Sequence, residues 1–507
     1  MSVHYAWTTA LILQICILVV TSTSTASWRP QRRETCELHP DVEARILKDV
    51  SYWDPSGGIT EDVALSVCAV CGGEGAQAAS GASSSSSGAM GVTTPGTKDC
   101  NKAQRVLIEN GTVFLTNLIG KEYLGPFEHI GFLVELYEAS QVFRLPDVEF
   151  TYWHGDNAPA HTTINPADNS SLWPHKPPGA GSRAMPAVLA WSKWNENAAL
   201  VVPYSGAFRC PQDSWDSIEG QLETVAGLPW EERREVAFGR WNGFCTHYIP
   251  WMKTEDGKVM KCPRTYLNSI SEAHPDLLDA YDLGAARPLP LVHQNRYKYI
   301  VSTDGWSISS KFDKYLLLGS AILKAASTRY GFYYDAIKPY EHYLPFMVKS
   351  SEDIVDVVKW AKAHDADSKR VAETARRFAL RNLSRPARLC YYFRLMTELS
   401  RKMKYKVTCQ NRRLCVPLVQ EIQVFSQYER TNRSCRYHDV LLRYGDDDPL
   451  AVKANTEAAA TVQGASSSSA SPSSSSVSYS LQDIQRLHEE GIAWPRDDLL
   501  LQSRMGS

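Results

Sequence analysis

The chain of 507 residues is 43% hydrophobic, 10% aromatic and 22% charged, and its formal net charge is -2. This is the composition of a globular protein of two or three domains, and the near-neutral balance removes any general case for nucleic-acid binding. Fourteen tryptophans and 24 tyrosines suit sugar or nucleoside stacking, although such rings more often build cores.

The N-terminus, ALILQICILVVTSTSTAS, is an apolar run followed by small residues. It reads as a secretory signal peptide cleaved near Ala26, with an uncleaved anchor as the second reading because the run is short for a membrane span. Membrane attachment is expected only if that segment is retained; either way the chain enters the secretory pathway. Twelve cysteines fit that compartment, and setting Cys16 aside leaves eleven, an odd number that puts at least one thiol outside intramolecular pairs. Cys68 and Cys71 have redox or zinc spacing, but no second pair accompanies them, so disulfide use is expected. Sequons at Asn110, Asn169, Asn382 and Asn432 also suit the lumen. The last residues, Arg504 to Ser507, carry no KDEL-like signal, which leaves the endoplasmic reticulum, the Golgi and secretion open.

Taken in order, Asp41 to Tyr52 is a short helix, and a Ser-rich insertion at 75–91 loops out between Cys71 and Cys100. Asn110-Gly111 between two strand-like runs is a hairpin signal. Glu128 to Phe143 is an amphipathic helix. In LPDVEFTYWHGDNAPA, 145–160, Val148, Phe150 and Tyr152 alternate with polar residues, which predicts a strand. His154 to Pro159 is then a turn at its carboxyl end. A carboxylate there, Asp156, is often functional in α/β proteins and is otherwise a plain turn residue. A proline-rich loop at 161–185 leads to two strands in 186–205, a mostly helical Trp215 to Arg234, and a strand ending in Gly239-Arg240-Trp241-Asn242-Gly243. Two glycines around an arginine let backbone and guanidinium approach an anion, or simply turn the chain. Cys262-Pro263-Arg264 precedes a helix, and Pro275 to Leu283 leads to a short strand.

The stretch YKYIVSTDGWSISSKFDKYLLLGSAILK, Tyr297 to Lys324, organises the second half. Tyr297 to Ser302 is β-branched and aromatic, as a buried strand is. Asp304-Gly305 is a turn, and Ser307, Ser309 or Ser310 caps the next segment. In that segment Phe312, Tyr315, Leu316, Gly319, Ile322 and Leu323 recur at helical spacing. The expected helix points its N–H groups and positive end into the crevice above a sheet, with Lys311 near its first turn. A cation is disfavoured there unless an anion lies between it and the dipole; the plain alternative is a Lys311 that points to water. Beyond it, Phe332 to Met347 is turn and strand, Ser351 to Asn382 a long helix or helix pair, and Arg385 to Met403 a further helix. The Lys- and Arg-rich region 369–444 reads as a solvated helical face. Cys409, Cys415 and Cys435 mark a disulfide-suited extension, 451–478 is expected to be disordered, and LQDIQRLHEEG is an amphipathic last piece. Strands alternating with helices predict an α/β architecture with two Rossmann-like halves and a phosphate-bearing ligand.

Three blocks in order, the stretch above, YYDAIKPYEHYLP, and SEDIVDVVKWAKAHDADSKRVAETARRFALRNL, resemble the C-terminal half of the Rumi-type protein O-glucosyltransferases and the related fungal capsule-associated proteins, glycosyltransferase family ninety. The family pattern is a strand, a DG or RG turn, a serine-containing turn, a basic residue and a helix ending in Gly-Ser. Here these are Gly305, the serine turn with Ser309, Lys311 and Gly319-Ser320. A Lys-Pro-x-x-His-Tyr-x-Pro segment comes next as Lys338 to Pro345. The resemblance covers roughly Arg105 to Met403. It implies a GT-B-like α/β fold, two Rossmann-like domains facing across a cleft that holds a UDP-sugar, and inverting transfer with no metal or other cofactor. LPDVEFTYWHGDNAPA is similar to the family's catalytic segment and implies Asp156 as general base. Arg240, Gly305, Ser309 and Lys311 are the donor-binding residues so implied, with the two cations meeting the departing diphosphate. The implied acceptor is a protein or glycan hydroxyl, and the implied donor sugar is glucose or xylose.

The expected organisation is a signal peptide or anchor (1–26), a cysteine-containing region with the Ser-rich insertion (27–104), an acceptor-side Rossmann-like domain (105–235), a donor-binding one with closing helices (236–403), a cysteine-containing extension (404–450) and a disordered Ser-rich tail with a short helix (451–507). A second reading is a catalytically inactive luminal protein of the same fold that binds glycan or protein. A third, a structural glycoprotein with a redox Cys68–Cys71 pair, rests on those two residues alone.

Overall fold

A computed structural model of the protein describes residues 32–71, 102–118, 127–204, 215–224, 228–245, 253, 257–258, 262–427, 438–445 and 479–490. The signal segment, the Ser-rich insertion, Cys100, Cys210, Cys435, Asn432, the stretch 451–478 and the chain end lie outside the described residues.

Helices α1 (Pro40–Val50) and α2 (Glu61–Cys71) precede strands β1 (Ala103–Glu109) and β2 (Thr112–Leu115). Then come α3 (Phe127–Val142), β3 (Val148–Trp153), β4 (Val188–Ala190), β5 (Leu200–Val201) and α4 (Trp215–Thr224). The second half runs β6 (Arg234–Trp241), α5 (Pro263–Ala273), β7 (Leu278–Asp282), β8 (Tyr297–Ser302), the single helical turn α6 (Phe312–Tyr315), β9 (Ala321–Ala325) and β10 (Leu344–Phe346). It closes with α7 (Asp353–Ala363), α8 (Asp365–Asn382), α9 (Arg385–Ser400), β11 (Val416–Pro417), α10 (Leu418–Gln427), α11 (His438–Tyr444) and α12 (Leu481–Glu490). Among the described residues no helix is long and apolar enough to cross a membrane.

The first sheet has the order β11-β2-β1-β3-β4-β5. It is mixed: β1 pairs antiparallel with β2 and β3, β11 antiparallel with β2, and only β3, β4 and β5 are parallel. It starts from the expected hairpin, in which Asn110 and Gly111 take φ of 52° and 74°, the left-handed pair that a two-residue turn needs to match strand twist. This half therefore departs from a Rossmann-like unit. A hairpin fills one side, and the crossover from β3 to β4 is a loop with one 3-10 turn at Ala160–Thr162.

The second sheet, β10-β9-β8-β6-β7, is parallel at every pairing. Counted along the chain its order is 2-1-3-4-5, a doubly wound arrangement whose topological switch lies between β6 and β8. Both faces are covered, so its strands are apolar on both. Phe238, Ile300 and Ile322 join one core, while Ala237, Tyr299, Val301 and Leu323 join the other.

β9 corrects the sequence reading of a helix from Lys311 to Lys324. YLLLGSAILK is apolar at so many positions that its periodicity fits helix and strand alike. Gly319, at φ 63°, ends the helical turn, and Ala321 to Lys324 pair in register with Tyr299 to Ser302. With one turn of helix left, the macrodipole argument for an anion at Lys311 loses its source.

The C-terminal helices return to the first sheet. Cys36–Cys390 joins the N-terminal segment to α9, Arg388 of α9 pairs with buried Glu135 of α3, and β11 extends the first sheet at β2. β6 starts at Arg234, so the boundary expected at 235/236 falls inside a strand. Two expectations of solvated charge also change. Glu149, a polar position of β3, is buried, and Arg412 donates to it through Nε (3.0 Å) and Nη2 (2.5 Å) while Arg105 adds a bond at 3.2 Å. Burial alone would raise the Glu149 carboxyl, but the Arg412 charge and hydrogen bonds outweigh it and hold it at about 2. The last amphipathic piece, α12, docks on α10, where His488 meets Glu421 and Ile484 is buried. Cys71 is in a disulfide while Cys68 is a buried thiol, which removes the redox reading of that pair.

Candidate active site

The carboxyl ends of β3 and β4 meet those of β8 and β9. Tyr330 N–H donates to the Lys193 carbonyl at 2.8 Å and Lys193 N–H to the Tyr330 carbonyl at 3.3 Å, which stitches the loop after β4 to the loop after β9. Asn157 Nδ2 donates to the Trp306 carbonyl at 2.6 Å, joining the turn after β3 to the loop after β8. The carboxyl edge at this seam includes the switch point between β6 and β8, the place where open α/β sheets form a ligand crevice.

Asp156 lies exposed in the turn after β3, next to Asn157. Gly305, Ser309 and Lys311 lie on the loop after β8. Gly305 is required by close approach: a Cβ there would lie 2.7 Å from Arg264 Nη1 and 2.9 Å from the Phe244 carbonyl oxygen. Lys311, not a serine, is the N-cap of α6; Ser309 Oγ accepts the Lys311 N–H at 3.4 Å, and the Ser309 N–H donates to Asp304 Oδ1 at 2.8 Å. Lys311 Nζ donates to the Arg240 carbonyl at 3.3 Å, so it reaches across to the end of β6. The Arg240 guanidinium turns the other way. It donates to the carbonyls of Arg287 (3.1 Å), Gly239 (2.8 Å) and Asp279 (2.6 Å) and to Asp279 Oδ1 (2.6 Å), and it stacks on Phe238 and Tyr281. Four of its five donors are thus bound within the β6–β7 edge. The crevice brings together Asp156, Gly305, Ser309, Lys311 and the Arg240 backbone, but not the Arg240 guanidinium.

Residues outside the sequence expectation complete the crevice. Arg264, in the first turn of α5, spans both loops of the switch point. Its Nη1 donates to Asn242 Oδ1 (2.9 Å) and the Phe244 carbonyl (3.1 Å), and its Nη2 to the Thr303 carbonyl (3.1 Å). Cys245–Cys262 fastens the loop after β6 to the start of α5. Asp304 is buried, with Lys324 Nζ 3.6 Å from its Oδ2, and the Lys324 ammonium lies over the rings of Phe312 and Tyr334. Arg329, after β9, lies over Trp194, after β4, at 5.5 Å from the ring centre. Burial pulls Arg264 and Arg329 below their usual values, and the charge of Asp304 opposes that for both. One buried carboxylate therefore serves three cations and leaves an excess of positive charge. At the rim, Phe244 and Trp306 stack with ring centroids 5.0 Å apart.

The signal for Arg264 was present. Pro263 at the first helical position marks a helix opening after β6, the same logic that pointed to the stretch after β8. Lys324 was hidden by the helical misreading, and Asp304 was read only as a turn residue.

The sheets and helices define a mixed α/β protein whose parallel sheet has a topological switch between β6 and β8. The family model described as Glycosyl transferase family 90 matches residues 135–449, more than half of the chain and all of the crevice, and the chain belongs to that family. It is similar to protein O-glucosyltransferase 3 of Mus musculus, 26% identical over 311 residues, which are 58% of this chain and 55% of that one. Protein O-glucosyltransferase 2 of Danio rerio is 26% identical over 303 residues, 54% and 51% of the two chains. Protein O-glucosyltransferase 1 of Homo sapiens is 25% identical over 223 residues, 43% and 54%. The chain spans about half the length of the curated relatives it matches.

Proposed function

We propose that the protein is an inverting glycosyltransferase of GT-B-like arrangement that moves glucose or xylose from a UDP-sugar to a protein or glycan hydroxyl in the secretory pathway. The observation that carries this reading is the crevice, where excess positive charge on the carboxyl edge of the parallel sheet faces the Asp156 turn across the Asn157–Trp306 bond. The relatives, named protein O-glucosyltransferases, support transfer of a glucosyl group.

In this reading Asp156 takes the proton of the acceptor hydroxyl as its oxygen bonds to the anomeric carbon. The bond from that carbon to the β-phosphate oxygen breaks with its electron pair, and UDP leaves with the charge. Attack from the face opposite UDP inverts the anomeric centre. Lys311 meets the leaving diphosphate, with Arg264, Lys324 and Arg329 adding field from around Asp304, so side chains supply the charge stabilisation in place of a metal ion. Gly305 and Ser309 shape the loop, and Arg240 fixes Lys311 through its carbonyl and the sheet edge through its guanidinium.

The test is a UDP-sugar panel on the purified protein, in chelator, read by UDP release and thermal shift. One UDP-sugar is expected to stabilise the fold and to be turned over. Asp156→Asn is expected to cut transfer by about 10²–10⁴-fold while thermal stabilisation by UDP persists. Undiminished transfer in that variant rejects Asp156 as the base, and activity that needs added manganese rejects the metal-independent scheme.

A further inference from the structure

Among the described residues the stacked rings of Phe244 and Trp306 belong to no hydrophobic core, and they are 58% and 40% exposed. They come from the two strand ends that border the switch point, and both are held. The Phe244 carbonyl accepts from Arg264 at 3.1 Å, and the next residue, Cys245, is bonded to Cys262. The Trp306 carbonyl accepts from Asn157 at 2.6 Å, and Asn157 Oδ1 in turn accepts from Ser192 Oγ at 3.2 Å. Water penalises a rigid pair of exposed rings, and folding does not account for this one.

We infer that this pair is a stacking platform for a pyranose ring of the acceptor, so that the acceptor is a glycan hydroxyl and not a side chain of a folded protein domain. The inference rests on the transferase reading, and three observations support it. The Asn157–Trp306 bond sets the platform beside the Asp156 turn, the side from which the acceptor hydroxyl must come. The rings stand at the rim, open to solvent, where an incoming acceptor lands; the anomeric centre of the donor must lie deeper, between base and diphosphate. The platform is two side chains, which matches one or two sugar rings and not the roughly 800 Å² per side of a stable protein–protein interface. The C–H edges of a pyranose carry partial positive charge and suit the negative face of an indole. Asp156, exposed in the turn beside Asn157, brings a carboxylate to the side on which acceptor hydroxyls would lie.

The experiment uses the full protein with methyl pyranosides of glucose, xylose, mannose and galactose and their disaccharides, beside a serine-containing folded domain as competitor acceptor. Saturation-transfer NMR reads pyranoside binding without turnover, and UDP release reads donor hydrolysis and transfer. At least one pyranoside is expected to bind and to accept sugar. Trp306→Ala is expected to lower acceptor kcat/KM about tenfold more than it lowers donor hydrolysis, and Trp306→Tyr to restore most of the loss. If Trp306→Ala instead weakens UDP by the same factor, the ring stacks the nucleobase and the inference is overturned. It is also overturned if UDP-sugar is hydrolysed but no pyranoside binds or accepts, or if only the folded domain is glycosylated. A protein that binds pyranosides through Trp306 but neither binds nor turns over any UDP-sugar keeps the platform and loses the transferase.

Discussion

Gly305→Ala isolates the close approach on which the crevice depends. Its φ lies outside the left-handed region, so alanine adds no backbone strain, and the effect comes from the added methyl alone. That methyl would lie 2.7 Å from Arg264 Nη1, 2.9 Å from its Cζ and 2.9 Å from the Phe244 carbonyl oxygen. The guanidinium must move, and in doing so it gives up bonds at 2.9 Å and 3.1 Å to Asn242 and Phe244. Overpacking of this kind costs about 1–3 kcal/mol, which is a fall of roughly 2–12 °C in the thermal midpoint of a folding unit of about 150–250 residues. Gly181→Ala, with nothing within 4 Å of its Cβ and no positive φ, is the control and should be neutral. The assay is thermal unfolding of both variants, repeated in an Arg264→Ala background. If the guanidinium excludes the side chain, the two substitutions couple by at least about 1 kcal/mol. Additive effects, or a Gly305→Ala protein as stable as wild type, would refute the steric account and with it the fixed position of Arg264.

Lys311→Ala should weaken UDP-sugar binding about 10- to 100-fold, the worth of a hydrogen bond to a charged group; calorimetric dissociation constants that match wild type remove it from the donor site. Glu149→Gln leaves two buried guanidinium groups short of charge and should destabilise by about 3–5 kcal/mol at neutral pH. The folded pKa of Glu149 is depressed from 4.5 to about 2, so its contribution is complete above the ordinary carboxylate range and is lost as pH falls. The gap between wild type and Glu149→Gln should therefore shrink by about 2 kcal/mol from pH 6 to pH 3, and a gap constant over that range would contradict the pairing. Cys245→Ser with Cys262→Ser opens a link across 17 residues and should cost about 2–4 kcal/mol. Thermal melts of the double variant and of oxidised wild type should differ by that amount, and no difference would mean that the link carries no stability.

Much of the frame was legible in the sequence. Asn110-Gly111, the strand before His154, the aromatic strand at Tyr297 and the helix pair in Ser351 to Asn382 each carry a local pattern that their surroundings reinforce. β9 was not legible, because a buried parallel strand and a buried helix read alike over five buried residues, and only the neighbouring strands decide between them. Arg240 shows a second limit. A sequence gives an arginine between glycines, but the partner that fixes its guanidinium, Asp279, lies 39 residues away on the edge strand. Glu149 shows a third: it sits at a polar position of an alternating pattern, and its burial depends on Arg412, which is 263 residues distant.

That last distance sets an order on biosynthesis. At about 5–20 residues per second, the ribosome delivers Arg412 roughly a quarter of a minute to a minute after Glu149. Until then β3 can close over an uncompensated carboxylate or wait. β2 likewise lacks its outer neighbour until Val416 emerges, and Cys36 lacks Cys390. The first half of the chain to be made is therefore the last to be finished. A nascent chain of this protein should stay protease-sensitive in its N-terminal half until synthesis is nearly complete, and a premature stop before residue 412 should send even an intact crevice to degradation.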